Sequence, residues 1–293
     1  MNRVFGDRKT IIALLTPALL TYSLAMLVPM LWSLGYTVTS GNLISGFHFV
    51  GFQNFVTVFH DKKAGQAISF TIKYALTITI GQVVLGYLLA LLYVFFLKRA
   101  SAVIRTLTFF PVVLPTVAVS LLFSKLFEIA PTLGPVNSLI QALGFSPVNW
   151  FGAGGKAFIV IAAMDIWRSM GFYAVLLYAG LVDIPEDVIE SARLDGAAGW
   201  SLARQIVLPL SWPVLVSALI FSINGTLKVF DSIYALTGGG PGQQTTPLTL
   251  YMYQTAFSYG KYGYGSTIAL TLTIMCLLVT VGIFRTSRKD LTA

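Results

Sequence analysis

Charge is what this chain has least of. Only 10% of its 293 residues are charged, where a soluble globular domain carries about 25%. Hydrophobic residues make up 56%, and the mean hydropathy is +0.80. So few charges cannot cover a soluble surface, which excludes an ordinary soluble enzyme, a disordered chain and a fibrous repeat. Cysteine occurs once, as Cys276, so neither an internal disulfide nor a cysteine-based metal framework can form. Lying in an apolar run, this thiol reads as an inert packed side chain. Histidine occurs twice, at His48 and His60, with no ligand set nearby, which argues against a metal site. Acids number 11 against 19 Lys and Arg, a net charge of +8. The cations are scattered between apolar blocks, whereas nucleic-acid binders cluster them on solvated faces. The basic balance therefore does not point to nucleic acid.

What the chain does have is long apolar runs. Six are close to or longer than the roughly 20 residues that cross a bilayer: Ile11–Leu34, Ile68–Leu97, Ile104–Phe127, Phe158–Leu181, Val214–Leu236 and Thr267–Phe284. All are too long for barrel strands, and none alternates with period two. The first follows Arg3, Arg8 and Lys9 like a signal peptide, but its apolar part is longer than a signal core, so it reads as a retained span. These runs predict an all-α polytopic membrane protein with six transmembrane helices, residues 1–293 forming one transmembrane domain. With the N-terminus inside, the inner segments hold 11 Lys and Arg (Arg3, Arg8, Lys9, Lys98, Arg99, Arg105, Arg193, Arg204, Arg285, Arg288, Lys289) and the outer loops 4 (Lys62, Lys63, Lys156, Lys261). The positive-inside rule then puts both termini in the cytoplasm. The aromatic and Gly/Asn/Pro-rich stretches Phe47–Phe59 and Leu133–Phe151 suit short helices at the membrane interface.

Catalytic signatures fail on inspection. The run from Gly152 to Ala157 lacks both the spacing and the Ser or Thr of a phosphate-binding loop, and no strand precedes it. No Ser-His-Asp set or paired carboxylates are evident, so the expectation is a chain that is not an enzyme, with no catalytic residue, metal or cofactor of its own. Energy for any work it does comes from a partner or an ion gradient.

The loop joining the fourth and fifth runs, residues 183–209, concentrates the acids. Asp183 and Glu186 have capping-box spacing, and Pro185 fits a first helical turn. Gly196 can end that helix in a left-handed conformation. A second short helix from Gly199 leads to Pro209 and the fifth span. The ridge mixes small residues (Ser191, Ala192, Gly196, Ala197) with charges. Physics alone leaves two readings open here, a docking helix and a solvated loop helix.

This loop resembles the cytoplasmic coupling motif of bacterial ABC importer permeases: Glu190-Ser191-Ala192, then Gly196, then Ile206-Val207-Leu208-Pro209, with every spacing kept and Ser191 in place of Ala. Further stretches resemble the carbohydrate-uptake, maltose-type branch of binding-protein-dependent sugar permeases. These are Phe49 to Phe55, Gly134 to Asn137, Val148 to Trp150, and above all Lys228-Val-Phe-Asp231 through Thr237 to Gly242. The resemblance implies an ABC importer permease fold in a bacterial cytoplasmic membrane. It implies sugar translocation by alternating access, with ATP and Mg bound by partner subunits. The partners it implies are a second homologous permease, two nucleotide-binding ATPase subunits and an extracytoplasmic solute-binding protein. In that setting Glu190, Ser191, Ala192, Arg193, Asp195 and Gly196 form the ATPase-docking motif. The other readings are an ion-driven secondary transporter and a membrane-embedded enzyme. The first of these would call for an ion-binding cluster and commonly more spans, the second for a catalytic set.

Polar residues inside a membrane are costly and tend to face protein or a wet cavity. In the fifth run Asn224, Lys228 and Asp231 stand at i, i+4 and i+7, one face of a continuous helix, with Tyr234 near its outer end. They read either as a substrate path or as a Lys228–Asp231 pair holding helices together. Asp165 and Arg168 form a possible second pair, and Tyr173 either lines the path or packs.

Overall fold

The structure is a computed structural model that describes residues 8–42, 44–97, 100–152 and 155–290. Arg3, Lys98 and Arg99 of the charge count, and residues 153 and 154 of the glycine-rich run, lie outside the described residues, as do the side chains of Arg8, Arg288 and Lys289. Contacts divide the chain into two compact units, Met1–Gly65 with Tyr251–Thr271 and Gln66–Leu250 with Leu272–Ala293.

In the first unit, helix α1 runs over Lys9–Tyr36, and no residue of its apolar window is buried. Its turn widens at Ser23–Leu27, just before Pro29, where a proline cannot donate to the regular ladder. The next stretch departs from the all-α expectation. Strands β1 (Thr39–Asn42) and β2 (Gly46–Phe49) pair antiparallel, Thr39 opposite Phe49. The cause is Gly41 and Gly46, whose φ values of +132° and +77° are open to glycine but strained for other residues. The interfacial helix expected from Phe47 therefore begins only at Gln53, as α2 (Gln53–His60). Asn54 Nδ2 donates to the Thr37 and Thr39 carbonyls, 2.8 Å each, and ties α2 to the hairpin.

Helix α3 (Lys62–Phe95) leads into the second unit, followed by α4 (Ser101–Val113), α5 (Thr116–Leu126), α6 (Pro135–Ala142) and α7 (Lys156–Val182). Then come α8 (Glu186–Leu194), α9 (Gly199–Leu227) and α10 (Asp231–Leu236). Last are α11 (Leu248–Tyr253) and α12 (Tyr262–Asp290). α4 and α7 pack so closely that a Cβ at Gly171 would fall 1.8 Å from the Thr108 carbonyl oxygen. Two clusters of the buried core lie in this unit. One gathers Tyr74, Ile78, Val119, Ile161, Met164 and Ile233; the other gathers Val83, Tyr173, Leu177, Ala192, Leu202 and Val207.

Among the described residues, five helices are each long and apolar enough to cross a membrane. The third expected span, Ile104–Phe127, is not one helix: α4 and α5 meet at 94°. Pro115 explains the break. A residue before proline is pushed out of the helical region, and Leu114 is extended at φ −67°, ψ 141°. The fifth expected span, Val214–Leu236, is also interrupted. α9 stops at Leu227, Phe230 leaves helical geometry at φ −142°, and Asp231 opens α10, where its carboxylate favours a helix start.

Candidate functional site

The first candidate region is the loop 183–209. α7 ends at Val182, and Asp183 closes it in helical geometry. The expected Asp183–Glu186 capping box therefore does not form. Pro185, at ψ 136°, takes the position before α8, without a side-chain cap, and Glu186 and Asp187 fill the first turn. The other end behaves as expected. Gly196 has φ +88°, and two backbone bonds close the turn: Gly196 N–H to the Arg193 carbonyl at 3.0 Å and Ala197 N–H to the Ala192 carbonyl at 2.9 Å. This is a Schellman closure, which satisfies the last carbonyls of the helix.

α8 buries one small side chain and exposes the rest of the motif. Ala192 packs into the cluster with Leu181, Leu202 and Val207. Glu190, Ser191, Arg193, Asp195 and Gly196 are exposed. A cavity of about 520 Å³ opens between α8 and the start of α9, lined by Asp187, Ser191, Asp195, Gly196 and Gln205 among others. Two large apolar side chains flank the turn in water-accessible positions, Leu194 at 89% and Trp200 at 73% exposure. The sequence reading did not single them out. Their signal was a large apolar residue in a charge-rich loop, since exposed apolar groups mark protein contacts and Trp is enriched among interface anchors.

The second arm of the loop differs from the expected short helix. Gly199–Leu227 is one helix of 29 residues running through Pro209, about 43 Å at 1.5 Å per residue. Pro209 is accommodated because the turn just before it, Ala203–Val207, is widened and the Leu208 N–H reaches back to the Ala203 carbonyl. The loop's second arm and the fifth span are thus a single rod.

The second candidate region is a polar cavity of about 280 Å³ among α3, α5, α7, α9 and α10. Tyr74, Gln82, Asp165, Arg168, Tyr173 and Ser222 line it together with Lys228 and Asp231. The Asp165 carboxylate accepts the Tyr74 hydroxyl at 2.7 Å and the Ser232 hydroxyl at 3.0 Å. Gln82 donates to Ser222 at 2.5 Å, and Ser222 to Thr79 at 2.9 Å. The expected Asp165–Arg168 ion pair is not made among the described residues, and Arg168 Nε is buried without a hydrogen-bond partner.

The helix break at Lys228 also undoes the single-face stripe. Asn224 turns away from the cavity and donates to Thr280 of α12 at 2.9 Å. The Tyr234 ring stacks on Phe230 at 5.3 Å; Phe230 lines the cavity, whereas Asn224 and Tyr234 do not. Lys228 and Asp231 are not ion-paired to each other, yet both line it, as Tyr173 does. Tyr74 and Gln82 escaped the sequence reading. With Ile78 they stand at i, i+4 and i+8 of α3 and line one wall, a spacing that places them on one helix face.

Residues 82–287 match the family described as binding-protein-dependent transport system inner membrane component. The chain belongs to this family. Members of the binding-protein-dependent transport family that it resembles include the trehalose/maltose transport system permease protein MalF of Thermococcus litoralis, 34% identical over 82% of this chain and 80% of that protein. The sulfoquinovosyl glycerol transport system permease protein SmoG of Agrobacterium fabrum is 34% identical over 97% of this chain and 92% of its own length. The multiple sugar-binding transport system permease protein MsmF of Streptococcus mutans is 32% identical over 99% and 97%. In fold the chain resembles a bacterial ABC transporter involved in alginate import, with a TM-score of 0.85 and 22% identity over 98% of this chain and 99% of that one. The long apolar helices and this family together make the chain an integral inner-membrane protein.

Proposed function

We propose that this chain is the permease subunit of an ATP-binding-cassette importer that translocates a sugar across the cytoplasmic membrane by alternating access, with six crossings and both termini in the cytoplasm. The observation that carries this reading is the family match over residues 82–287, a stretch that contains the 183–209 loop and every residue lining the polar cavity except Tyr74 and Ile78. Relatives named for the transport of sugars and a sugar-bearing glycerol, matched over 80%, 92% and 97% of their lengths, support a saccharide as cargo.

In this reading α8 is the coupling helix. Glu190, Arg193 and Asp195 supply charge to a groove on an ATPase subunit, Leu194 and Trp200 supply apolar anchors, and Ser191 and Gly196 keep the ridge low. ATP and Mg belong to two ATPase subunits. A second permease subunit completes the membrane pathway, and a solute-binding protein delivers the sugar from outside. Closure of the ATPases moves α8, and the continuous α9 rod carries that motion to Lys228 at the cavity. There Tyr173, Lys228 and Asp231, with Tyr74 and Gln82, offer the donors, acceptors and aromatic faces that a sugar needs. Asn224 and Tyr234 serve helix packing.

Reconstituted vesicles test the assignment. The full complex should accumulate labelled sugar only with ATP on the coupling-loop side and the cognate binding protein outside. Uptake by this chain alone, driven by an ion gradient, would contradict it.

A further inference from the structure

A third cavity, of about 580 Å³, lies entirely within the first unit. Asn42, Asp61, Lys63, Tyr251, Tyr259 and Lys261 are among the residues that line it. Two of its side-chain acceptors, on Asp61 and Asn42, are already in use. Asp61 Oδ2 accepts the Tyr251 hydroxyl at 2.5 Å and the Tyr264 hydroxyl at 2.6 Å, and Oδ1 accepts the Lys63 amide at 2.8 Å. Burial pushes the Asp61 carboxyl up, but these bonds together outweigh it and hold the group below its ordinary range, so it is a filled anion at neutral pH. Asn42 Oδ1 is likewise occupied by the Ile44 and Ser45 amides, 2.8 Å each. The donors are not in use in the same way. Lys63 and Lys261 are exposed and neither is ion-paired among the described residues.

A cavity whose single carboxylate is already occupied and which carries two ammonium groups without an ion pair suits an anionic partner better than a neutral sugar, which needs donors and acceptors together. The chain path gives its side of the membrane. With the N-terminus in the cytoplasm, as the positive-inside rule has it, α1 crosses once before the hairpin. The cavity, which opens beside the hairpin that follows α1, then faces outside. Nearby, the hairpin and the turn after it expose Phe49 and Phe52, large apolar groups of the kind that mark protein contacts.

We infer that this cavity receives an acidic loop of the solute-binding protein, whose carboxylates pair with Lys63 and Lys261. The inference rests on the reading of the chain as a binding-protein-dependent permease. It adds which part of the outer surface docks that protein and by what chemistry.

The test uses the whole complex in nanodiscs, with ATP hydrolysis followed against the concentration of sugar-loaded binding protein. The double variant Lys63→Glu/Lys261→Glu should raise the half-saturating concentration about tenfold, with rates recovering at saturation. Lys63→Gln/Lys261→Gln should fall between, and Lys63→Arg/Lys261→Arg should stay near the unmodified value. Raising salt from about 50 to about 300 mM should weaken docking to the unmodified complex and leave the Gln variant almost unaffected. An unchanged half-saturating concentration would overturn the inference. So would loss of the second permease subunit from the purified variants, which would make the cavity a subunit contact, or a changed response to free sugar alone, which would make it a sugar site. Failure of any binding protein to stimulate the unmodified complex would defeat the functional reading itself, and the inference with it.

Discussion

At Asp165 a buried carboxylate is held by the hydroxyls of Tyr74 and Ser232, which join α3, α7 and α10 at one point. A buried polar group left without its partner costs about 1–3 kcal/mol. Asp165→Leu strands both hydroxyls and should lower the melting temperature of the detergent-purified chain by several degrees. Asp165→Asn keeps an acceptor and should lose less. Equal melting temperatures for Asp165→Leu and the unmodified chain would show that the three-helix junction does not depend on this group. The sequence reading found Asp165 and paired it with Arg168, because i, i+3 spacing on one helix is visible locally. Its actual partners stand 91 and 67 residues away in the chain, and no periodicity reports such distances. Gly196 was legible for the opposite reason, since a left-handed helix end is decided by the few residues around it.

Among the elements, the breaks carry more information than the spans. The apolar runs located α1, α3, α7, α9 and α12 because hydropathy over about 20 residues is a strong signal. They did not show that the third run turns through 94° or that the fifth stops at Leu227. A proline's effect on the preceding residue bends an element without altering its hydropathy, and the break at Lys228–Phe230 lies within an otherwise apolar stretch. That second break mattered most for the site. It separated Asn224 from Lys228 and Asp231, and so divided a face that a continuous helix would have kept whole. The 183–209 loop gained where the cavity stripe lost, since Pro209 does not interrupt α9 and the second arm of the loop is continuous with the fifth span. Leu194 and Trp200, exposed at the tip between α8 and α9, should act as docking anchors. Leu194→Ala and Trp200→Ala should each weaken retention of the ATPase subunits on an affinity-tagged permease by about tenfold or more, since interface anchors of this type are worth at least ~1–2 kcal/mol. Ser191→Ala, a change at a small exposed position, should leave retention unchanged. Full retention in both anchor variants would remove them from the interface.

Across the whole molecule, the scarcity of charge that marks the sequence becomes a division of labour. Five of the 11 acids, Asp183, Glu186, Asp187, Glu190 and Asp195, lie in the one loop between α7 and α9. Two more, Asp165 and Asp231, line the cavity with Arg168 and Lys228. Asp61 clasps α11 and α12 through Tyr251 and Tyr264. The account therefore joins a docking helix at one end of the α9 rod to a polar cavity at the other, and its central claim is that these two ends move together. The most direct measurement compares ATP hydrolysis and sugar uptake in vesicles carrying the reconstituted complex with Gly196→Asp. Space exists for the side chain, but the residue would sit at φ +88°, a left-handed conformation that costs an ordinary residue about 1–2 kcal/mol. The account predicts a complex that assembles in the membrane and still hydrolyses ATP, while sugar uptake and its stimulation of hydrolysis are lost. Sugar-stimulated hydrolysis and uptake at the unmodified rate would contradict it.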